Sequence, residues 1–298
     1  MRQLLLLNKS KFLRGKGFTL VELLIVMVIG LVVAAGIFGV FFVFILDFEQ
    51  TDDITAARTR GEMVLSILEG PILHAGLAMP DSTDVYSGDQ VLATVPSWSS
   101  FIEITGAESD ELHVLYAMET GIYSQNEVSF DVNDELFGTS GLSLSQNIPD
   151  SMMSTDSTKT TGWILFPTSN NAVFEITGNN QLNARTSGGG FIAQYDNVHT
   201  LRALRAYLGT NPSTGRKEFY TQDVTVSSGQ PRVDGIEKIF FEMDGDVFSV
   251  YILARGNKQG VDLDPNREID GWPDTAGYNG VDRTYRLSVT RGSWRIRN

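Results

Sequence analysis

Apolar residues are distributed unevenly along this chain, and one long run of them dominates its amino-terminal end. Residues 23–46 include no charged side chain. A helix of that length reaches about 36 Å, more than the roughly 30 Å thickness of a bilayer's hydrocarbon core. Basic residues precede the run, and four acidic residues follow it: Asp47, Glu49, Asp52 and Asp53. The pattern predicts a transmembrane helix with its amino terminus in the cytoplasm.

The helical pattern continues beyond the membrane segment but becomes amphipathic. Between residues 51 and 69, small and apolar side chains recur every three or four positions, with charged side chains between them. These positions are Ile54, Ala57, Gly61, Val64, Leu65 and Leu68. We predict one helix from about residue 19 to 69, with its second half docked on a globular head. Gly70-Pro71 is expected to end it.

After Pro80 the chain changes to short β-type runs separated by Gly, Asn, Asp, Ser and Pro. Asp244-Gly245 is predicted at the turn of a hairpin. The layout is α+β, with a long amino-terminal helix packed on a large antiparallel β head over residues 70–298. The candidate strands are Phe101–Thr105, Leu112–Met118, Glu127–Val132, Trp163–Pro167, Ala172–Ile176, Phe191–Tyr195, Leu201–Leu208, Ile236–Met243, Phe248–Ala254 and Arg283–Val289.

Composition and charge narrow the classes of function. The chain has no cysteine, which excludes disulfides, thiolate nucleophiles and cysteine-based zinc or iron–sulfur sites. The first 17 residues carry +5, which leaves −18 for the remainder of a chain with a net charge of −13. An acidic body argues against nucleic acid as a partner, because Lys and Arg supply most of that affinity. Acidic charge also keeps such a body soluble.

The junction before the apolar run reads "KGFTLVELLIVMVIGLVV". Its apolar core is too long for an ordinary secretory signal, and no small-x-small cleavage site follows it. Glu22 is the one charged residue between Gly17 and Asp47. An ionisable group at such a depth is costly and usually has a partner. One explanation is local, because Thr19 and Glu22 fit the T-x-x-E capping box at a helix amino terminus.

This segment resembles the class III signal of type IV prepilins and pseudopilins. The resemblance implies that a membrane-bound prepilin peptidase removes residues 1–17 by cleaving between Gly17 and Phe18, and that Phe18 is then N-methylated. Residues 18–46 would form the transmembrane and filament-core part of a helix over 18–69. Glu22 would be the fifth mature residue and would pair with the ammonium of a neighbouring subunit. This role and the capping role are compatible.

Three head segments resemble PilW-type minor pilins: "ESDELHVLYAMETG", "VDGIEKIFFEMDGD" and "YRLSVTRGSWRIRN". The resemblance implies a structural subunit in the priming or tip complex of a type IV pilus. Its partners would be the inner membrane, other minor and major pilins and a tip adhesin. The head would be periplasmic, and later at the cell surface. Two alternatives stay open: a J-type pseudopilin of type II secretion, and a surface- or ligand-binding head on a pilin anchor.

One acidic loop is a candidate calcium site, because oxygen-bearing side chains occupy alternate positions in it. It is not an EF-hand, since Arg267 and Pro273 stand where that motif needs Gly and Glu. A solvated acidic loop without metal is the preferred interpretation, and no other cofactor is expected. The candidate ligands are Asp262, Asp264, Asn266, Glu268 and Asp270.

No catalytic constellation emerges from the remaining residues, so we do not expect an enzyme. His74, His113 and His199 are scattered and match no metalloprotease spacing. The tryptophans are expected in the core rather than in a sugar- or partner-binding platform. Near the carboxyl end, Trp294 and Ile296 alternate with arginines, which predicts an edge strand with one covered face. The tryptophans are Trp98, Trp163, Trp272 and Trp294.

Replacing Gly17 with a bulky residue should leave an uncleaved precursor about 17 residues longer than the mature chain. The reason is that the resemblance makes Gly17 the residue before the cut bond. Migration on a denaturing gel measures this, and electron microscopy of the cells measures piliation. Normal processing together with normal piliation would contradict the assignment.

Overall fold

The computed structural model describes residues 19–77, 100–131, 134–136, 141–149, 152, 162–167, 172–178, 181–184, 189–224, 229–260, 263–264 and 266–296. By internal contacts the chain divides into two units, Met1–Thr51 and Asp52–Asn298. The second unit includes the helix from Asp52 onward, because buried residues of that part of the helix pack into the core of the head.

The helix α1 spans Leu20–Leu73. Within the first unit, every large apolar side chain of α1 is exposed, from Leu20 to Phe48. By length and composition this helix could cross a membrane, and it is the one such helix in the part of the chain that the structure describes. The predicted apolar helix is therefore confirmed, and the side chains of its first unit are left exposed by the residues that the structure describes.

In the second unit α1 buries one face, as its sequence pattern predicts. The predicted positions Ala57, Gly61, Val64 and Leu68 are buried, and Leu65 is half-buried. Ile54 was wrongly assigned to this face, since it is 47% exposed.

Asp53 takes the buried place that Ile54 was expected to occupy, and it is 6% exposed. Its Oδ1 accepts hydrogen bonds from the backbone N–H groups of Asn257, at 3.0 Å, and Lys258, at 3.3 Å. These bonds compensate for removing the carboxylate from water. An apolar side chain at this position would leave both N–H groups without that acceptor.

The helix ends at Leu73, four residues later than predicted, and Pro71 lies inside its last turn. Ile72 is buried and continues the stripe of Val64 and Leu68 at four-residue spacing. Pro71 removes one backbone hydrogen bond, and only two helical residues follow it. Burial of Ile72 favours continuing the helix past Gly70-Pro71.

All β-strand pairs are antiparallel, so the predicted α+β class is confirmed. The strands are β1 Ile102–Thr105, β2 Glu111–Tyr123, β3 Val128–Phe130, β4 Gly162–Phe166, β5 Ala172–Gly178, β6 Gln181–Ala184, β7 Gly190–Ile192, β8 Asn197–Thr210, β9 Lys217–Asp223, β10 Gln230–Asp234, β11 Ile236–Asp244, β12 Val247–Gln259 and β13 Tyr285–Arg295. A 3₁₀ turn spans Asp274–Ala276.

The strands form three sheets. The large sheet has the order β1-β2-β8-β4-β5-β6, and β9 pairs with both β8 and β10. A second sheet has the order β11-β12-β13, and β3 pairs with β7. The main core joins α1 to both larger sheets: Leu68 packs in one cluster with Val114 of β2, Leu204 of β8 and Ile252 of β12. The second half of α1 is therefore the element around which the head is packed.

Each of the ten predicted strands overlaps an observed one, whereas β6, β9 and β10 were missed. The missed strands are short or polar, and β10 contains Pro231 next to an irregularity in pairing. The predicted hairpin exists between β11 and β12, but Asp244 pairs with Val247, so the turn residues are Gly245 and Asp246. Gly245 has a φ of 57°, which glycine adopts without strain.

Gly61 lies where α1 approaches β13 most closely. A Cβ atom added there would overlap the side chain of Thr290. Gly70 lies on the same helix, and a Cβ atom added there meets nothing within 4 Å. The two glycines therefore form a matched pair for testing the docking of α1.

Gly61→Val should lower the free energy of unfolding by about 1–3 kcal/mol, because the helix must move away from β13. Gly70→Ala, as the control, should raise it by about 0.5–1 kcal/mol through helix propensity. Chemical denaturation of the full chain in detergent, followed by tryptophan fluorescence, measures both. A Gly61→Val chain as stable as the original would contradict this docking.

Candidate assembly site

The amino terminus of α1 is closed by reciprocal hydrogen bonds between Thr19 and Glu22. The backbone N–H of Glu22 donates to Thr19 Oγ1 at 3.2 Å. In return the backbone N–H and the hydroxyl of Thr19 each donate to Glu22 Oε2 at 3.0 Å. The carbonyl of Thr19 accepts the first helical hydrogen bond, from Leu23 at 3.2 Å. The predicted capping box is therefore confirmed.

The capping box uses one of the two carboxylate oxygens of Glu22. Both bonds from Thr19 reach Oε2, and among the described residues no hydrogen bond reaches Oε1. The side chain is also exposed. A carboxylate can accept about four hydrogen bonds, so capping leaves Glu22 able to bind a second donor. The cap fixes where that donor must approach, at the first turn of the helix.

Gly17 and Phe18, the predicted cleavage and methylation positions, lie outside the described residues. Their placement next to Thr19 follows from the sequence alone. A new amino terminus at Phe18 would be one residue from the helix cap. The predicted ion pair between Glu22 and a neighbour's ammonium stays a prediction at this point.

Small residues interrupt the apolar surface of α1 in the first unit. At three of these positions an added Cβ atom would meet nothing within 4 Å. Small side chains allow another helix to approach closely in lipid, where van der Waals packing drives association. The three positions are Gly30, Gly36 and Gly39, with Ala34 and Ala35 between them.

The family model for the prokaryotic N-terminal methylation motif matches residues 13–38. The amino-terminal segment is type IV pilin-like. Its prepilin-type signal implies processing by prepilin peptidase, anchoring in a membrane and assembly with other pilins. No curated protein and no solved structure matches the chain. The matched residues cover the end of the basic leader, the capping box and the first part of the apolar surface.

The candidate calcium loop is organised by a cation from the protein itself. The guanidinium of Arg267 donates to the backbone oxygens of Asp264, Arg283 and Tyr285 at 2.6–3.1 Å. Asp264 Oδ1 accepts the backbone N–H of Asn266 at 2.8 Å. Asp262 lies outside the described residues, within which no group of three or more acidic or histidine side chains could hold a metal. The calcium site stays a prediction.

The histidines lie at three separate places. His74 Nδ1 is 2.7 Å from the oxygen of Gly70, and His199 Nδ1 is 3.2 Å from that of Asn197. His113 Nε2 contacts Glu111, which also binds Arg205 through both carboxylate oxygens. Burial alone would raise the pKa of Glu111, but hydrogen bonds from Arg205 and His113 outweigh burial and lower it. This arrangement suits a structural ion cluster.

The described tryptophans confirm the packing interpretation. Trp163 and Trp272 are buried, and Trp294 is half-buried and stacks on Phe248 with ring centroids 6.3 Å apart. Trp98 lies outside the described residues. The strand β13 is an edge strand, with Trp294 half-buried and Arg295 exposed, as the alternation predicts. Arg297 also lies outside the described residues.

Sequence reasoning missed the polar contacts that fasten α1 to the end of β12. The guanidinium of Arg60 donates to the backbone oxygen of Arg255 at 2.6 Å and to Asn257 Oδ1 at 2.7 Å. It also lies 3.4 Å from Asp234. Asp53 binds the same end of β12 two helical turns earlier. Asp53 and Arg60 are seven residues apart, which places both on the helix face of Ala57. This spacing is the signal from which the sequence could have predicted their contacts with the head.

Proposed function

We propose that this protein is a minor pilin of the PilW type, a structural subunit in the priming or tip complex of a type IV pilus. The observation that carries the proposal is the uncovered apolar surface of α1 directly behind a prepilin-type signal. Burying a Val, Leu, Ile, Phe or Met side chain is worth about 1.5–3 kcal/mol. A surface of this size must therefore be covered, by lipid before assembly and by other pilin helices afterwards.

The proposed topology follows from charge. The basic residues before α1 stay in the cytoplasm, and the acidic head is in the periplasm until the subunit enters the pilus. Other minor pilins, major pilins and a tip adhesin are the proposed partners, and the role in adhesion is structural rather than catalytic. The acidic charge of the head disfavours nucleic acid as a partner.

Cleavage and assembly are coupled in this proposal through Glu22. Removing residues 1–17 creates an ammonium on Phe18, which does not exist in the precursor. The free Oε1 of Glu22 can accept that ammonium from a neighbouring subunit while Oε2 keeps the helix capped. An unpaired charge in lipid is costly, so the pair favours subunits aligned in register.

The PilW assignment is supported by three segments of the head. They contain most of β2 and all of β11 and β13, and these strands contribute to the main core around α1 or its edge. Phe241 of the second segment donates its backbone N–H to Ser109 of the first at 2.9 Å. A J-type secretion pseudopilin shares the same signal and is the alternative. Neighbouring genes for minor pilins and a tip adhesin would favour the PilW-type minor pilin. Neighbouring genes for secretion-system components would favour the J-type pseudopilin.

Two variants separate an ion pair from a purely local cap. Glu22→Gln keeps a side chain that can close a capping box but removes the charge. We expect normal cleavage but loss of most incorporation into pili. Thr19→Ala removes the reciprocal side-chain bonds and keeps the charge, so incorporation should stay close to that of the original protein. Gel migration reports cleavage, and immunoblots of sheared pili report incorporation.

The opposite order of incorporation into pili among these variants would contradict the ion pair. If Thr19→Ala and Glu22→Ala both abolish incorporation while Glu22→Gln is incorporated normally, Glu22 acts only as a helix cap. The expected result for Glu22→Ala is normal cleavage with impaired assembly, since that variant lacks both functions. Loss of cleavage in any variant is detected separately on the same gels.

A further inference from the structure

Two exposed tyrosines stand side by side on the head, at a corner where three chain segments meet. Tyr123 is 39% exposed and Tyr195 is 68% exposed. Their ring centroids are 6.1 Å apart, with the ring planes tilted by 47°. The segments are 123–126, 141–145 and 193–196, and we call this feature the tyrosine corner. Exposed paired aromatic rings contribute little to a core, so their placement calls for another explanation.

The backbone of the tyrosine corner is held by a dense set of hydrogen bonds around buried Ser124. Its backbone oxygen accepts the N–H of Tyr195 at 2.8 Å, and its N–H donates to the oxygen of Asp196 at 2.9 Å. Its hydroxyl donates to the oxygen of Ala193 and accepts the N–H of Asp196. On the other side, Ser145 donates its N–H to the oxygen of Tyr123 at 2.8 Å. The two rings are therefore carried on a fixed frame.

Tyr195 adopts a backbone conformation that tyrosine rarely takes. Its φ is 67°, in the left-handed region that favours glycine. Strained residues of this kind persist where the surroundings enforce them, and they occur preferentially at functional sites. Here the strain accompanies a ring that is mostly in solvent. The ring lies beside that of Tyr123, but burial in a core does not explain a tyrosine at this position.

The chemistry around the two rings is neutral and rich in hydrogen-bonding groups. Gln125 and Gln194 are exposed beside the tyrosines, and Gln194 Nε2 donates to the oxygen of Gln125 at 2.9 Å. Among the described residues, no hydrogen bond uses the side-chain amide of Gln125 or either tyrosine hydroxyl. Asp196, the one acidic residue of the three segments, is buried. Flat rings, hydroxyls and amides without charge match the apolar faces and hydroxyls of a sugar ring.

We propose that the tyrosine corner is a binding site for a neutral saccharide, whose pyranose ring stacks on Tyr195 and Tyr123 while Gln125 bonds its hydroxyls. Nucleic acid also stacks on aromatic rings, but it needs cationic side chains for its phosphates, and the three segments have none. An anionic polysaccharide would need the same cations. The proposal does not depend on which filament the subunit enters.

Saturation-transfer-difference NMR on the full chain tests the site with cellohexaose, maltohexaose and chitohexaose as probes. The detergent must be zwitterionic, because a glycoside detergent would occupy the site. At least one hexasaccharide should show transfer to its ring protons. Tyr195→Gly should weaken that binding about tenfold or more, since it removes one ring of the pair. Met243→Ala, which removes an exposed apolar side chain from β11, should leave binding unchanged.

Unfolding of the Tyr195→Gly variant is not expected to explain a loss of binding. Glycine relieves the positive φ, so thermal unfolding of the variant should occur at the original temperature or above it. Two results would overturn the proposal: no transfer to any of the three hexasaccharides at millimolar concentration, or equal transfer with Tyr195→Gly. In either case, the corner would be assigned to a protein contact if the original chain is cross-linked to other pilins and the Tyr195→Gly variant is not.

Discussion

The structure depends on an apolar surface that the described residues do not cover. From Leu20 to Phe48 every large apolar side chain of α1 is exposed, whereas from Ala57 to Ile72 the same helix contributes to a close-packed core. One continuous element therefore has two surroundings, the head for one half and lipid or other subunits for the other. The hydrophobic effect favours association of the exposed first half with other apolar surfaces. The second half does not take part, because the head already buries its apolar face.

Polar contacts lie at the start of the exposed half of α1 and where the docked half meets the head. At the start of α1, Thr19 and Glu22 satisfy free helix-end groups, and among the described residues the second carboxylate oxygen of Glu22 accepts no hydrogen bond. Farther along, Asp53 and Arg60 bind the end of β12 through backbone groups. Buried polar groups with several partners fix position more sharply than apolar contact alone. The helix is thereby held in one register on the head.

Most of the fold was predictable because it follows from periodicity. The apolar run, the stripe at Ala57, Gly61, Val64 and Leu68, and the alternating strands all carry local signals. Asp53 was not predictable in the same way, because its burial depends on N–H groups about 200 residues away in the chain. The strand β10 was missed because its pairing with β9 is set by the sheet and not by its own polar sequence.

The candidate sites also divide into those with a local sequence signal and those that depend on contacts between distant parts of the chain. The capping box and the cleavage junction are contiguous motifs, so Thr19 and Glu22 could be found from the sequence. The tyrosine corner could not, because Tyr123 and Tyr195 meet only through the fold. The tryptophans were expected in the core rather than in an exposed platform, and Trp163 and Trp272 are buried. Residue type indicates what a side chain can do, and only topology decides whether it is available.

The most direct test is to identify what covers the apolar surface of α1 in cells. A photoreactive phenylalanine analogue, p-benzoylphenylalanine, can replace Phe38, which is 71% exposed. After irradiation, the processed chain should be cross-linked to other pilin subunits, and the chain blocked at Gly17 should be cross-linked mainly to lipid. Processed chains recovered from pili without any pilin cross-link at this position would contradict the account.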